Sequence, residues 1–350
     1  MRYIPITKVS AGMALGQDVY DGKGNLLLAR HLILGTEYIK SLEGLGFPGL
    51  YIDDSFTDGI EIHHIISPEV RREAVKNIHD LFLEHNNKAN AAVEEMRIKN
   101  LVLNVVDEIL SNGDVMCNML DLKTYDDYTY YHSVNVAVLS AMIGAQYGMR
   151  EKDLAVLTTA AMLHDIGKKF LPTDILNAPR ALTVDEKREM IQHPRKGFEF
   201  LRETYQFPAM VALSVLEHHE WYNGDGYPLK KSGKEIPIYA RIIKLADVYD
   251  AMNSKRPYHD PTEPAEIVEY IMSRSGTEFD PEIVQLFLKK IAVYPVGCEV
   301  ELSNGRHAIV VENFRDFILR PRIKVLETAE EINLMNDPNA RNITINKLLI

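Results

Sequence analysis

Five of the 12 histidines crowd into positions 132–219, at His132, His164, His193, His218 and His219, each within or at the end of an apolar segment with helical spacing. Burying several imidazoles in apolar helices costs several kcal/mol each unless a partner compensates them. The demand is sharpest where His164 precedes Asp165 in AAMLHDIGKK, where His218 adjoins His219 in SVLEHHEWYNGDGYP, and around Asp247 in ARIIKLADVYDAM. A cation shared among these side chains supplies the compensation, and imidazole with carboxylate suits iron, manganese or zinc. A lone histidine in an apolar helix, such as His132, is more often a hydrogen-bonded core residue, so the adjacent pairs carry the reading. His31, His63, His64, His79, His85 and His307 lack that context and read as surface or capping residues.

Around this cluster the chain divides by pattern. A length of 350 residues suggests two or three domains. Residues 1–66 look strand-rich, with apolar clusters at 14–20 and 26–29 flanking Asp21-Gly22-Lys23-Gly24-Asn25 as a hairpin turn, and a short helix over 36–45. Ser67-Pro68-Glu69 is a helix start and opens a helical connector over 67–120. An all-helical domain follows over 121–291, with a capping-box pattern at Thr183 to Glu186 and a last helix opened by Asp280-Pro281. Alternating strands at 299–302 and 308–311, joined at Asn304-Gly305, mark a β-rich extension over 292–350. The expected class is mainly α, with small β-rich regions at both ends.

Charge and cysteine content remove other options. Lys+Arg 39 against Asp+Glu 50 gives a net charge of -11, so a phosphate-bearing ligand needs a local basic pocket, and binding to a DNA or RNA duplex is not expected. The two cysteines, Cys117 and Cys298, form neither a CxxC nor a paired arrangement, which excludes a thiolate zinc site within the chain and fits a reducing cytoplasm. The start MRYIPITKVSAGM lacks the pattern of a signal peptide, and no window approaches the ~18 uninterrupted apolar residues of a membrane helix, so a cytoplasmic, non-membrane protein is expected.

The series YTYYHS, LHDIGK, QHP, HHEWYNGDGYP, IIKLADVYDAM, Arg256-Pro257-Tyr258 and FDP at 279–281 resembles, in family order, the HD-GYP family of cyclic di-GMP phosphodiesterases within the HD phosphohydrolase superfamily. The resemblance covers roughly 121–287. It implies an all-helical HD-type domain holding two divalent metal ions, iron first and manganese second. His132, His164, Asp165 and Asp247 would surround one ion and His193, His218 and His219 the other, with Asp165 bridging. A water held between two cations loses a proton near neutral pH and becomes the nucleophile. The same resemblance gives Asp165 and Lys168 catalytic roles, with Lys168 on a non-bridging phosphate oxygen and Arg256 on a second phosphate. Gly226 and Tyr227, in the Gly224-Asp225-Gly226-Tyr227-Pro228 loop, are implied to bind substrate, with Tyr227 against a guanine base.

Two positions depart from the family pattern. Members with a third metal carry a glutamate four residues before the first histidine, where this chain has Tyr128; Asp126 and Asp127 are in the wrong helical phase to replace it, so two ions are expected. His259 stands where a more basic side chain is common. The expected reaction is hydrolysis of cyclic di-GMP to pGpG and onward to GMP. Cyclic GMP-AMP is an alternative substrate, and a weakly active nucleotide-binding or scaffolding module an alternative of another class. Expected partners are the cyclic dinucleotide, a second copy paired through the helices of 67–120, and a protein at the Gly-Tyr-Pro loop.

Overall fold

Alternating apolar residues near the N-terminus form strands because the pleat sends successive side chains to opposite faces. In the computed structural model, β1 (Arg2–Pro5), β2 (Ala14–Leu15), β3 (Val19–Tyr20), β4 (Leu26–Leu28), α1 (Thr36–Gly44) and β5 (Gly49–Asp53) make up this region. The structure describes residues 1–350 except 22–24, 58, 84–89, 119–127, 177, 179, 255–261 and 350, and at 118, 128 and 129 the backbone alone. β5 lies between β1 and β2 and is antiparallel to both, with Arg2 opposite Ile52 and Ala14 opposite Asp53. Ile4, Leu15, Leu34, Leu42, Leu50 and Ile52 close a small core of their own.

β3 and β4 form a hairpin, with Val19 opposite Leu28 and the Asp21 N–H donating to Asn25 O at 2.9 Å. It is shorter than the apolar clusters at 14–20 and 26–29 suggest. Ala14–Leu15 pairs with β5 along one edge, and along the other Leu15 exchanges hydrogen bonds with His31 and Leu32, so both edges are taken.

The helices follow as α2 (Pro68–Leu83), α3 (Ala91–Ser111), α4 (Tyr128–Gln146), α5 (Glu151–Met162), α6 (Thr173–Leu176), α7 (Val184–Met190), α8 (His193–Thr204), α9 (Ala209–Glu217), α10 (Ile238–Asn253), α11 (Pro264–Ser273) and α12 (Pro281–Leu288). Their starts are written locally. Ser67 Oγ accepts the Val70 N–H at 3.3 Å ahead of Pro68, Thr183 and Glu186 cap each other reciprocally, and Asp280 accepts the Glu282 N–H at 2.9 Å. α4 is apolar nearly all round, which suits a central helix: it packs on α2, α3, α5, α10 and α12. α2 and α3 share this core with α5, through Ala74, Ile78, Leu101 and Val105. No helix among the described residues is long and apolar enough to cross a membrane.

Two short strands, β6 (Cys117–Asn118) and β7 (Ile291–Ala292), pair in parallel and tie the end of α3 to the chain after α12. β8 (Glu299–Leu302), β9 (His307–Glu312), β10 (Arg322–Val325), β11 (Glu331–Asn333) and β12 (Ile345–Leu349) form an antiparallel sheet in the order β11-β10-β9-β8-β12. Gly305, at φ 80, makes the tight turn between β8 and β9. Val300, Leu302, Ala308, Val310, Ile323 and Val325 turn inward to join the helical core. The Tyr3 N–H donates to Gly297 O at 2.9 Å, which joins the two β-rich ends.

Candidate metal centre

Five segments deliver the seven histidines and aspartates to one place. His132 and Asp247 come from the interiors of α4 and α10, His193 opens α8, and His218 and His219 directly follow α9. α5 stops at Met162, and the chain turns through His164 and Asp165 into a 3-10 turn, Ile166–Phe170. The corner lies backbone to backbone on the start of α8: a Cβ at Gly167 would sit 1.9 Å from His193 O and 2.6 Å from Gly197 N. Only glycine permits that approach. Gly167→Ala is therefore expected to push His193 away from Asp165 and lower metal retention in elemental analysis, with the circular dichroism of the helices preserved.

The ligand atoms fall into three groups, each within 4.8 Å: His132, His164 and Asp247; His164, Asp165 and His218; and His193, His218 and His219. His132 Nε2 lies 3.1 Å from Asp247 Oδ1. Asp165 stands between the outer groups, with Oδ2 3.4 Å from His164 Nε2 and 3.7 Å from His132 Nε2, and Oδ1 3.2 Å from His193 Nε2. His219 Nδ1 lies 3.9 Å from Asp247 Oδ2. All but Asp247 and His219 are buried.

The protonation pattern suits a cation. The Nδ1 atoms of His164, His193 and His218 meet the carbonyl oxygens of Ala161, Met190 and Val215 at 2.7, 2.8 and 2.7 Å. A carbonyl only accepts, so Nδ1 carries the proton in each and the Nε2 lone pair faces the cluster. His164 Nε2 is buried with no hydrogen-bond partner. Burial lowers the pKa of His218 and His219 well below the usual range, which keeps them as neutral ligands. Burial alone would raise Asp165 and Asp247, but the Lys168 charge beside the first, and the hydrogen bond and charge of His132 beside the second, hold both as carboxylates. Burial opposes the charging of His132, yet its hydrogen bonds to Asp247 and Asp250 outweigh that and raise it to about 9. An ion at this nitrogen would take the place of that proton. Buried histidines and carboxylates in this state make a donor set for divalent metal.

Lys168 and the loop residues border the cluster. Lys168 Nζ lies 2.5 Å from Asp165 Oδ2. The Tyr227 ring stacks on His219, with centroids 4.8 Å apart, and its N–H donates to His219 O at 3.2 Å. A Cβ at Gly226 would meet Trp221 N at 2.2 Å, so close packing alone requires glycine there. Arg256 and His259 lie outside the described residues, as do Asp126, Asp127 and the side chain of Tyr128. The other histidines stay apart: none of them joins a ligand group among the described residues. His85 is not among those residues.

Sequence reading missed the layer behind the cluster. Asp250 is fully buried, accepts from His132 Nδ1 at 2.7 Å and from Asn135 Nδ2 at 2.9 Å, and Asn135 Oδ1 accepts from Arg71 Nη1 at 2.8 Å. The signal was spacing: Asp250 follows Asp247, and Asn135 follows His132, by three residues, which shares a helix face. Glu220, also buried, accepts the backbone N–H groups of Leu229, Lys230 and Lys231 at 2.5, 3.1 and 3.1 Å and so holds the exit of the loop.

A family model described as HD domain matches residues 105–283, just over half of the chain. A protein of Pseudomonas aeruginosa named as a cyclic di-GMP phosphodiesterase is 35% identical over 238 residues, 68% of this chain and 57% of that protein. A Thermotoga maritima protein named likewise is 41% identical over 170 residues, covering 48% and 46%. A 3'3'-cGAMP-specific phosphodiesterase of Vibrio cholerae is 36% identical over 159 residues, covering 45% and 30%. The chain thus spans 57%, 46% and 30% of these relatives' own lengths. An HDG"Y"P protein from Bdellovibrio bacteriovorus aligns with a TM-score of 0.54 at 18% identity, over 81% of this chain and 97% of that one, a likeness of fold.

Proposed function

This chain belongs to the HD domain family, and from that premise we propose that it is a metal-dependent phosphodiesterase that hydrolyses cyclic di-GMP to linear pGpG. The observation that carries the reading is the convergence of seven buried or half-buried histidines and aspartates, with the Nε2 lone pairs of His164, His193 and His218 turned into the cluster. Such a set suits charge stabilisation at phosphate, and two relatives, 35% and 41% identical, are named for this substrate.

We assign His132, His164, Asp165 and Asp247 to one divalent ion and His193, His218 and His219, with Asp165 shared, to a second, iron before manganese. The two Asp165 oxygens, facing opposite groups, support the sharing. When bound, the ions would neutralise phosphate charge and acidify water. Elemental analysis of anaerobically purified protein is expected to give two ions per chain; three would contradict the assignment and give Tyr128 no consequence.

Lys168 is assigned to a non-bridging phosphate oxygen. Its side chain is 25% exposed while its partner Asp165 is 2% exposed, so the ammonium is the part of this pair a substrate can reach. Lys168→Ala is expected to keep the metal and lose about a hundredfold in rate, the scale of one lost electrostatic contact. Metal loss alongside would make its role structural. Tyr227, stacked on His219, is placed to meet a base at the edge of the cluster.

Cyclic GMP-AMP is a second reading, favoured by the Vibrio cholerae relative. Competition between the two cyclic dinucleotides in one reaction tests the choice: preferential consumption of cyclic di-GMP supports the first reading, and preferential consumption of cyclic GMP-AMP replaces it.

A further inference from the structure

A cavity of about 480 Å³ lies where β3, β5 and the chain after it meet α2 and α4. That is within the roughly 300–1,000 Å³ typical of small-ligand pockets. Its wall carries Arg30, Arg71 and Arg72 together with Tyr20, Tyr51 and Tyr131. Three arginines in one recess form a local basic pocket in a chain of net charge -11.

The acidic residues on the same wall are engaged. Asp18 accepts the Arg30 backbone N–H at 2.6 Å and the Tyr20 hydroxyl at 2.8 Å, Glu69 accepts from Arg72 at 3.5 Å, and the Arg30 guanidinium lies 4.0 Å from Asp53. The Arg72 guanidinium lies over the Tyr20 ring, 3.9 Å from its centroid. Arg71 gives one N–H to Asn135, and a guanidinium carries five. Arginine forks match phosphate geometry, and tyrosine faces offer an aromatic ring a stacking surface.

We propose that this cavity binds a phosphate-bearing aromatic ligand of the nucleoside monophosphate class, at a site separate from the metal centre. The proposal rests on the cavity alone and stands whatever the substrate of the centre is. Its consequence runs through hydrogen bonds: Arg71 holds Asn135, Asn135 holds Asp250, and Asp250 holds His132. A ligand that engages Arg71 thereby acts on the support of a metal-facing histidine, and linkage requires metal and ligand to alter each other's affinity equally.

Calorimetric titration of the full chain, stripped of metal by chelation, tests this with GMP and inorganic phosphate as probes. The expected result is saturable GMP binding at one per chain, with phosphate at least tenfold weaker. Arg72→Ala and Tyr20→Leu, separately, should each weaken GMP at least tenfold while the ligand-free unfolding temperature is kept. Absence of saturable binding, or binding that neither variant weakens, overturns the site; equal affinity for phosphate overturns the nucleotide class. Saturating GMP should also shift the metal affinity of the native chain but not of Arg72→Ala, and an unshifted native chain overturns the coupling.

Discussion

Replacing His164 and Asp165 together by alanine is expected to abolish metal retention and to lower turnover by more than about a thousandfold, beyond what one electrostatic contact supplies. Asp165 lies between the two outer ligand groups, with one oxygen 3.4 Å from His164 Nε2 and the other 3.2 Å from His193 Nε2. Without it the groups keep only Asp247, whose second oxygen lies farther off, 3.9 Å from His219 Nδ1. His164 adds a buried Nε2 with no hydrogen-bond partner, so its loss removes a candidate ligand and no protein hydrogen bond at that atom. Metal binding stabilises a fold by about 2.7 kcal/mol when the ion stands at a hundredfold its dissociation constant. Added metal should therefore raise the unfolding temperature of the native chain and leave that of the double variant unmoved. Circular dichroism should still report the helices, because α4, α5 and α10 are held by a large apolar core of which neither residue is a part. Retained turnover would overturn the whole assignment of the centre.

Asp250→Ala carries the second large effect, without replacing an assigned ligand. The carboxylate accepts from His132 Nδ1 and Asn135 Nδ2 at once, and it is fully buried. Its removal takes away the carboxylate that accepts from His132 Nδ1 and so loosens the hold on the tautomer and the ring orientation. Partners of this kind are worth about 10- to 100-fold in metal affinity. The expected result is a metal titration weakened by that factor, with turnover partly recovered at high metal. A purely structural role would lower the unfolding temperature equally in stripped and loaded protein and leave the titration unchanged.

Much of this was legible in the sequence for identifiable reasons. Helix starts at Ser67-Pro68, Thr183 and Asp280 are local chemistry, and the Asn304-Gly305 turn between alternating strands is a local signal too. The histidines and aspartates of the centre stood out because titratable pairs in apolar helices demand a partner. Asp250, Asn135 and Glu220 did not stand out, since each reads alone as an ordinary polar residue. Their roles appear when α4 meets α10, residues more than a hundred positions apart, and when the loop after Glu220 folds back upon it. The placement of β12 beside β8 is equally non-local. The same holds for the cavity, whose arginines come from two regions and face one another only after the N-terminal strands dock on α2.

The most direct test of the central claim is chromatography of cyclic di-GMP after incubation with anaerobically purified full-length chain, stripped of metal and then supplied with Fe(II) or Mn(II), with metal content measured on the same sample. A linear dinucleotide that appears only with metal is the predicted result. Bound metal with no product from cyclic di-GMP would contradict it.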